Sequence, residues 1–396
     1  MHIPLREDVD WVGHLDWQVR DFHGYEAVRG TTYNAYLIRD ERTALIDTVK
    51  GPYAAELLRK VARLTDPTGV DYIVCNHAEP DHSGALPEVI RAMPQATVLC
   101  DKRCRDALAR HYDTGGWRFE LVGSGDEISL GRRTLRFVET PMVHWPESMF
   151  TYVPEEKILF SMDAFGQHYC TSQRFDDQVP LPGLMSEAKA YYANIIMPFG
   201  KQVAQTLKKA AELEMEMIAP AHGVIWRSRG EEILGAYADW AAGRVSRKVV
   251  VVYDTMWEST AQMAEAIVEG AACAGAEALA MHVRRTSMTR IATEVLDAGA
   301  VAVGSSTLNR HVMPAAAAVL TYLEGLRPVG RAGLAFGSYG WGTGGPERVH
   351  EWLGRMNWEL PEKPLKVQYR PTPETLDTCR RAGARLAHLA AERADR

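Results

Sequence analysis

Residues 76–84 read NHAEPDHSG, which puts His77, Glu79, Asp81 and His82 within six positions. Two imidazoles and two carboxylates so close together form a ligand set for a metal ion more readily than an ordinary polar loop, which carries one such side chain. The apolar run VDYIVCNH leads into this stretch and predicts a buried strand. On an extended chain, alternate side chains share a face, so His77, Glu79 and Asp81 are expected to converge, with His82 reaching in from a following turn. Further candidates stand at the ends of other apolar runs: His144 in TPMVHWPES, Asp163 in LFSMDAFG and His222 in APAHGVIW. Taken singly, each reads as a hydrogen-bonded or surface residue. Together they make four histidines and three carboxylates, a number that suits two metal ions sharing a bridging carboxylate.

The elements that must position these residues fall into two parts. Up to about residue 247, short strands, turns and helices alternate: a hairpin over 33–48, strands with glycine turns over 118–141, a second hairpin over 148–166, a long helical region over 186–215 and a short strand over 217–220. Beyond it the pattern is regular. Apolar strands are predicted at 248–253, 278–283, 300–304, 332–336 and 365–369, with amphipathic helices at 259–274, 288–297, 313–325, 346–356 and 373–392. Five β-α units over 248–396 predict a doubly wound, five-stranded parallel sheet of the flavodoxin size. Domains of 1–247 and 248–396 are therefore expected.

The second part carries its own candidate site at three strand ends. The loop after its first strand offers Thr255, Met256, Trp257, Ser259 and Thr260. There, hydroxyls, backbone amides and a helix N-terminus suit a phosphate, although Ser and Thr are also ordinary helix caps. The loop after the third strand offers Ser305, Ser306, Thr307, Leu308 and Asn309; that after the fourth offers Ser338, Tyr339, Gly340, Trp341 and Gly342. Glycines permit close backbone approach to a planar ring, and the aromatics can stack on it. With no GxxxxGK, and no GxGxxG after the first strand of the second part, nucleotide hydrolysis and dinucleotide binding are not expected.

Composition sets outer limits. The chain has 396 residues, 46% hydrophobic and 24% charged, with a formal net charge of −6, so nucleic-acid binding has no electrostatic support. No apolar run approaches the roughly 18 residues that suggest a membrane span, and the N-terminus lacks a signal-peptide pattern. A cytoplasmic protein is expected. The six scattered cysteines contain no CxxC pair and are expected to be free thiols; Cys100 and Cys104 alone make a weak metal site.

The first part resembles the metallo-β-lactamase fold, an αββα sandwich whose hydrolase motif H-x-H-x-D-H is read here as H-A-E-P-D-H. Glu79 stands where that motif has an imidazole. Carboxylate-rich mixed sites favour iron or manganese over zinc, so the substitution points toward redox chemistry. The three strand-end loops of the second part are similar to those with which flavodoxins hold FMN. The whole chain resembles the flavodiiron proteins (A-type flavoproteins) over HGYEAVRGTTYNAYLI, HAEPDHSG, MVHWPESM, FSMDAFGQH, APAHGVIWR, YDTMWEST and GSSTLN.

That resemblance implies two iron ions, one held by His77, Glu79 and His144, the other by Asp81, His82 and His222, with Asp163 bridging. It implies FMN as the electron-collecting cofactor and reduction of dioxygen to water or of nitric oxide to nitrous oxide. It also implies a head-to-tail homodimer, or a dimer of dimers, which sets the flavin of one subunit beside the metals of the other. Without an appended CxxC…CxxC module, electrons are expected from a separate rubredoxin or a reduced deazaflavin, with Arg310 and Arg348 as candidates for a basic docking rim. His23, Tyr25 and Tyr192 are candidate proton-supplying neighbours. A dinuclear zinc hydrolase fused to a flavodoxin-like domain, and an electron carrier with a vestigial metal site, are the competing readings.

Overall fold

The computed structural model describes residues 3–396. Compact packing divides the chain into two units: residues up to Tyr192 with Lys201–Ala238, and Ala193–Gly200 with Asp239–Arg396. Among the described residues, no helix is long and apolar enough to cross a membrane.

The first unit is built on two sheets. A seven-stranded sheet runs, in spatial order, Ile3–Arg6, Val9–Trp11, Tyr36–Ile38, Ala44–Ile46, Tyr72–Val74, Thr97–Cys100 and Arg118–Leu121; a five-stranded sheet runs Glu127–Ser129, Thr134–Glu139, Met149–Val153, Ile158–Met162 and Met217–Pro220. The expected hairpins are present as the antiparallel pairs 36–38 with 44–46 and 149–153 with 158–162.

Period-two alternation sorts the strand residues between two cores. Ala44, Ile46, Val74 and Leu99 pack with Phe137, Ile158, Phe160 and Met217 from the second sheet. Leu45, Ile73 and Val98 face the other way, against Leu57, Val61, Leu86 and Val89, which lie on the helices Ala54–Val61 and Leu86–Ala92. Both faces of the seven-stranded sheet are thus covered, and chemistry is left to the strand ends.

The helical region expected over 186–215 is not continuous. A helix over Leu181–Tyr191 widens into a π-turn at Tyr192–Ile196, tightens over Met197–Phe199 and resumes at Gly200–Ala210. Pro198 is the physical reason: it lacks the amide hydrogen a continuous α-helix needs there. All six cysteines are free thiols.

The second unit contains a fully parallel five-stranded sheet in the order Glu277–His282, Ser246–Asp254, Ala298–Ser305, Ala332–Tyr339, Leu365–Gln368. In chain order this is 2-1-3-4-5, the flavodoxin-like doubly wound arrangement, whose ligands sit at the carboxyl ends of the strands. Its opening strand starts at Ser246, close to the predicted boundary of 247/248, whereas compact packing parts the chain at Ala238/Asp239.

Candidate metal centre and flavin cleft

Four strand ends converge in the first unit. His77 follows the strand Tyr72–Val74, His144 follows Thr134–Glu139, Asp163 follows Ile158–Met162 and His222 follows Met217–Pro220. The remaining three residues come from one turn, and here the structure corrects the sequence expectation. His77, Glu79 and Asp81 do not line one face of an extended segment. Glu79 stands just before a single helical turn, Pro80–Ser83, that carries Asp81 and His82. Pro80 sits at the first helical position, where its missing amide hydrogen is harmless and its fixed φ favours the turn. The result still gathers all seven side chains.

They form two groups: His77, Glu79, His144 and Asp163, and Asp81, His82 and His222, with potential ligand atoms within 4.8 Å of one another in each. Asp163 belongs to both by geometry. Its Oδ2 lies 3.2 Å from His77 Nε2 and 3.0 Å from His144 Nε2. Its Oδ1 lies 3.2 Å from His82 Nε2 and 3.3 Å from His222 Nε2. One carboxylate thus turns one oxygen to each group. Glu79 Oε2 closes the first group, 3.1 Å from His77 Nε2 and 3.4 Å from His144 Nε2; Asp81 Oδ2 closes the second, 3.1 Å from His222 Nε2.

Neighbours fix the imidazoles. His222 donates Nδ1–H to the carbonyl of Thr32 at 2.6 Å, which directs Nε2 inward. Glu147 Oε1 lies 2.9 Å from His77 Nδ1 and accepts from the Ala78 amide at 3.2 Å, orienting His77 in the same way. Such outer contacts set tautomer and ring angle in metal sites. Tyr191 donates its hydroxyl to Asp163 Oδ1 at 2.8 Å. Phe22 stands edge-on to His222, 5.7 Å between ring centroids.

The electrostatics are those of a site that needs cations. Burial disfavours charge on Asp163, but His82 and the other imidazoles outweigh it and hold the carboxyl well below its usual range. Burial likewise opposes charge on His222, yet Asp163 and Asp81 push it up to about 10. Three buried atoms at the centre, Asp81 Oδ1, Asp163 Oδ2 and His82 Nε2, have no hydrogen-bond partner. Close approach without hydrogen bonding is how ligands aimed at a shared ion are arranged. The set fits two metal ions.

The expected proton-supplying neighbours are only partly where they were placed. His23 Nε2 is 3.3 Å from Glu79 Oε1. Tyr25 is pushed up to about 12 by burial and by the Glu79 and Asp163 charges. Tyr192 packs edge-on to Tyr237; the phenol at Asp163 belongs to Tyr191. A helical step of about 100° separates the two, and Tyr191 shares the buried face of Leu184 and Ala188. Sequence reasoning also missed Glu147, although it stands three residues past His144 in a segment already singled out. The Thr32 carbonyl left no sequence signal, because any residue supplies one.

In the second unit, a cleft of about 640 Å³ opens at the strand ends. Of the expected residues, Met256, Trp257, Ser259, Ser306, Thr307, Leu308, Asn309, Ser338, Tyr339, Gly340, Trp341 and Gly342 line it, joined by Arg310 and Tyr369. Thr255, Thr260 and Ser305 do not. Ser305 is turned inward, donating to the Ser306 carbonyl and accepting from the Met313 amide. Thr260 Oγ1 lies 3.0 Å from both Ser306 Oγ and Ser338 Oγ, tying the three loops together behind the cleft.

Thr255 Oγ1 is buried beside the N-terminus of the helix Ser259–Cys273 and has no hydrogen-bond partner; a phosphate there would meet it and the helix amides. Gly344, at φ +143, lets its loop approach Arg310, where a Cβ would lie 2.2 Å from the Arg310 carbonyl oxygen. Trp257 and Trp341 are 89% and 97% exposed at the rim, flat faces suited to an aromatic ring. These residues fit a flavin mononucleotide. Of the expected basic rim, Arg310 lines the cleft, whereas Arg348 is spent on a surface pair with Glu351 at 2.9 Å.

Comparison with known proteins agrees with both sites. A family model described as ODP family beta lactamase matches residues 31–223, and the flavodoxin model matches residues 251–383. A nitric oxide reductase of Moorella thermoacetica is 45% identical over 390 residues, covering 97% of this chain and 98% of its own. The crystal structure of the flavodiiron protein from Giardia intestinalis matches with a TM-score of 0.97 at 36% identity, covering 100% of this chain and 98% of the other. Rubredoxin oxygen:oxidoreductase from Desulfovibrio gigas matches with a TM-score of 0.97 at 38% identity, covering 99% of each chain. Fold and site therefore define an oxidoreductase in which a metallo-β-lactamase-like domain is joined to a flavodoxin domain. The chain belongs to the flavodiiron proteins. The cofactors of that family are FMN and a di-iron centre, and the donors described above fit both.

Proposed function

We propose that this protein reduces nitric oxide to nitrous oxide, dioxygen to water, or both, at a di-iron centre supplied with electrons by FMN. One observation carries the reading. Asp163 turns one carboxylate oxygen to each of two histidine–carboxylate groups, one of which contains Glu79 where hydrolases of this fold have an imidazole. His77, Glu79 and His144 would hold one iron, Asp81, His82 and His222 the other. When bound, the irons would supply a two-metal binding and redox site for a diatomic gas, and FMN would hold up to two electrons and release them singly.

The chain's own residues do the rest. Glu79, Asp81 and Asp163 supply the anionic charge that favours iron over zinc and stabilises the higher oxidation state. Glu147 and Thr32 keep His77 Nε2 and His222 Nε2 directed inward. Tyr191 offsets charge on Asp163 Oδ1 with its hydroxyl hydrogen bond. His23, half-exposed and 3.3 Å from Glu79 through Nε2, passes protons between solvent and the Glu79 side of the site. Tyr25 keeps its phenolic proton across the neutral range and can hydrogen-bond a reacting oxygen. The cleft aromatics exposed in the single chain support a head-to-tail dimer that covers the flavin, and the Desulfovibrio gigas relative's name supports a rubredoxin as electron source. With no membrane-crossing helix among the described residues, a cytoplasmic location is part of the reading.

The test is metal analysis of protein purified without added metal, then anaerobic reduction and mixing with each gas separately. Two irons per chain, flavin reoxidation and nitrous oxide or water as product are expected. Two zincs and a flavin inert to both gases would replace this reading with the hydrolase one.

A further inference from the structure

A row of aromatic rings leads away from His222 toward the protein surface. Tyr33, 1% exposed, stands edge-on to the His222 ring at 5.9 Å. The Tyr53 ring lies 5.6 Å from Tyr33, nearly parallel at 26°, and His14 stacks on Tyr53 at 3.6 Å and 14°. His14 is held through Nδ1, 2.7 Å from Glu56 Oε2. Tyr53 and His14 are both partly exposed. Both phenols donate to the same oxygen, Asp16 Oδ2, Tyr33 at 3.2 Å and Tyr53 at 2.9 Å.

Phenol oxidation has one strict chemical requirement. A tyrosine that loses an electron becomes a strong acid and must give its proton to a base already in contact. Asp16 is that base for both rings. Burial opposes its ionisation, but the Tyr53 hydroxyl, the Gln18 and Val19 amides and the Tyr33 hydroxyl together keep it a carboxylate. Burial and Asp16 in turn keep both phenols protonated until oxidised.

The same residues cannot serve as a proton wire into the metal site. Tyr33 meets His222 ring to ring, and the exchangeable Nδ1–H of His222 is committed to the Thr32 carbonyl. The continuous element is the stack of rings, across which electrons move readily and protons do not.

We propose that Tyr33 and Tyr53, with Asp16 as their shared proton acceptor, carry oxidising equivalents from the metal centre to the surface when dioxygen reaches it before enough electrons have been delivered. The inference rests on the redox reading of the site. In the first step, Tyr33 gives one electron to the oxidised centre and its phenolic proton to Asp16. Next, Tyr53 gives an electron to Tyr33; the proton on Asp16 returns to Tyr33 as the Tyr53 proton replaces it. A small thiol in solution then gives Tyr53 a hydrogen atom, Asp16 releases its proton, and two thiyl radicals couple to a disulfide. Each passage delivers one electron inward and leaves both tyrosines as they began.

Holoenzyme given less reductant than the reaction consumes is mixed with excess dioxygen, without thiol, and freeze-quenched for EPR. Wild type is expected to show a tyrosyl radical that added thiol shortens several-fold. Tyr33→Phe is expected to lower that signal several-fold and, over repeated cycles, to raise oxygen insertion into side chains around His222, read by mass spectrometry. Tyr53→Phe is expected to strand the radical on Tyr33, lengthening its life several-fold and removing the effect of thiol; this variant keeps the test decisive if Tyr33→Phe fails to load iron. No radical in wild type, a radical unchanged by Tyr33→Phe, or one assigned to Tyr25 or Tyr191 overturns the conduit. Full reduction provides the separating control. If the flavin then fails to reoxidise with either gas, the functional reading itself falls; if it reoxidises and no radical forms, only the conduit does.

Discussion

The metal centre and the flavin cleft lie at strand ends in their respective sheets but hold their ligands by opposite means. The metal centre is a buried cluster of titratable side chains, in which His77, His222 and Asp163 are each held by a second residue or a backbone carbonyl. The cleft is open and nearly uncharged, made of hydroxyls, glycine-permitted turns and aromatics that stand 89% and 97% exposed at Trp257 and Trp341. Strong ligands held at fixed angles make the first site intolerant of single changes. Binding spread over many weak contacts and backbone groups makes the second tolerant of them.

The contrast can be broken most sharply at Asp163. Asp163→Asn removes the charge shared between the two groups and is expected to weaken iron binding by more than about 100-fold, because even residues that merely orient a ligand contribute 10–100-fold. Metal analysis should show both irons depleted while FMN content is unchanged; retention of one iron per chain would mean the two groups do not depend on a common carboxylate. Glu147→Gln leaves every ligand in place and is expected to cost about 10–100-fold in metal affinity, read by chelator competition.

On the other side, Trp341→Ala is expected to weaken FMN by only about 2–10-fold, the worth of one aromatic contact. Fluorescence titration of flavin into the apoprotein measures this, and iron content should not move. A total loss of flavin would mean that the cleft also depends on single residues.

A fourth test concerns His168, which packs 4.9 Å from Tyr191 and 5.7 Å from His222. Burial, with His222 beside it, lowers this imidazole from 6.5 to about 3. The unfolded chain therefore takes up a proton below pH 6.5 that the folded chain refuses until about pH 3, so stability is full above 6.5 and declines as pH falls through that window. His168→Gln is expected to flatten the acid limb by up to about 1.4 kcal/mol per pH unit. Urea unfolding at a series of pH values checks it, and an unchanged slope would place the acid sensitivity elsewhere.

The two sites were also unequally legible. Ligand side chains announce themselves, since His and carboxylates at strand ends are uncommon and their chemistry is specific; all seven candidates meet in the structure. What escaped was orientation. The phase of the helix 181–191 decides that Tyr191 and not Tyr192 reaches Asp163, and the buried pattern Leu184, Ala188, Tyr191 was the available clue. The carbonyl of Thr32 was invisible because backbone chemistry is the same at every residue. In the cleft, loops were legible but not the direction of each hydroxyl: Ser305 and Ser306 are adjacent, yet one is turned inward and the other faces the cleft. The regular strand and helix spacing of the second unit's sheet makes its topology readable, whereas the helical region of 186–215 is broken at Pro198, which apolar periodicity alone does not register.

A final consequence follows from the helical turn at Pro80–Ser83. Residues 77–82 supply side chains to both ligand groups, so the gap between the two ions is gauged by a few peptide units and not by the docking of distant parts. A shift of this segment carries both ions along together, and adding or deleting one residue between His77 and His82 would ruin the pair at once. The hexapeptide acts as a caliper, and the rest of the fold supplies the jaws that close on what it has already spaced.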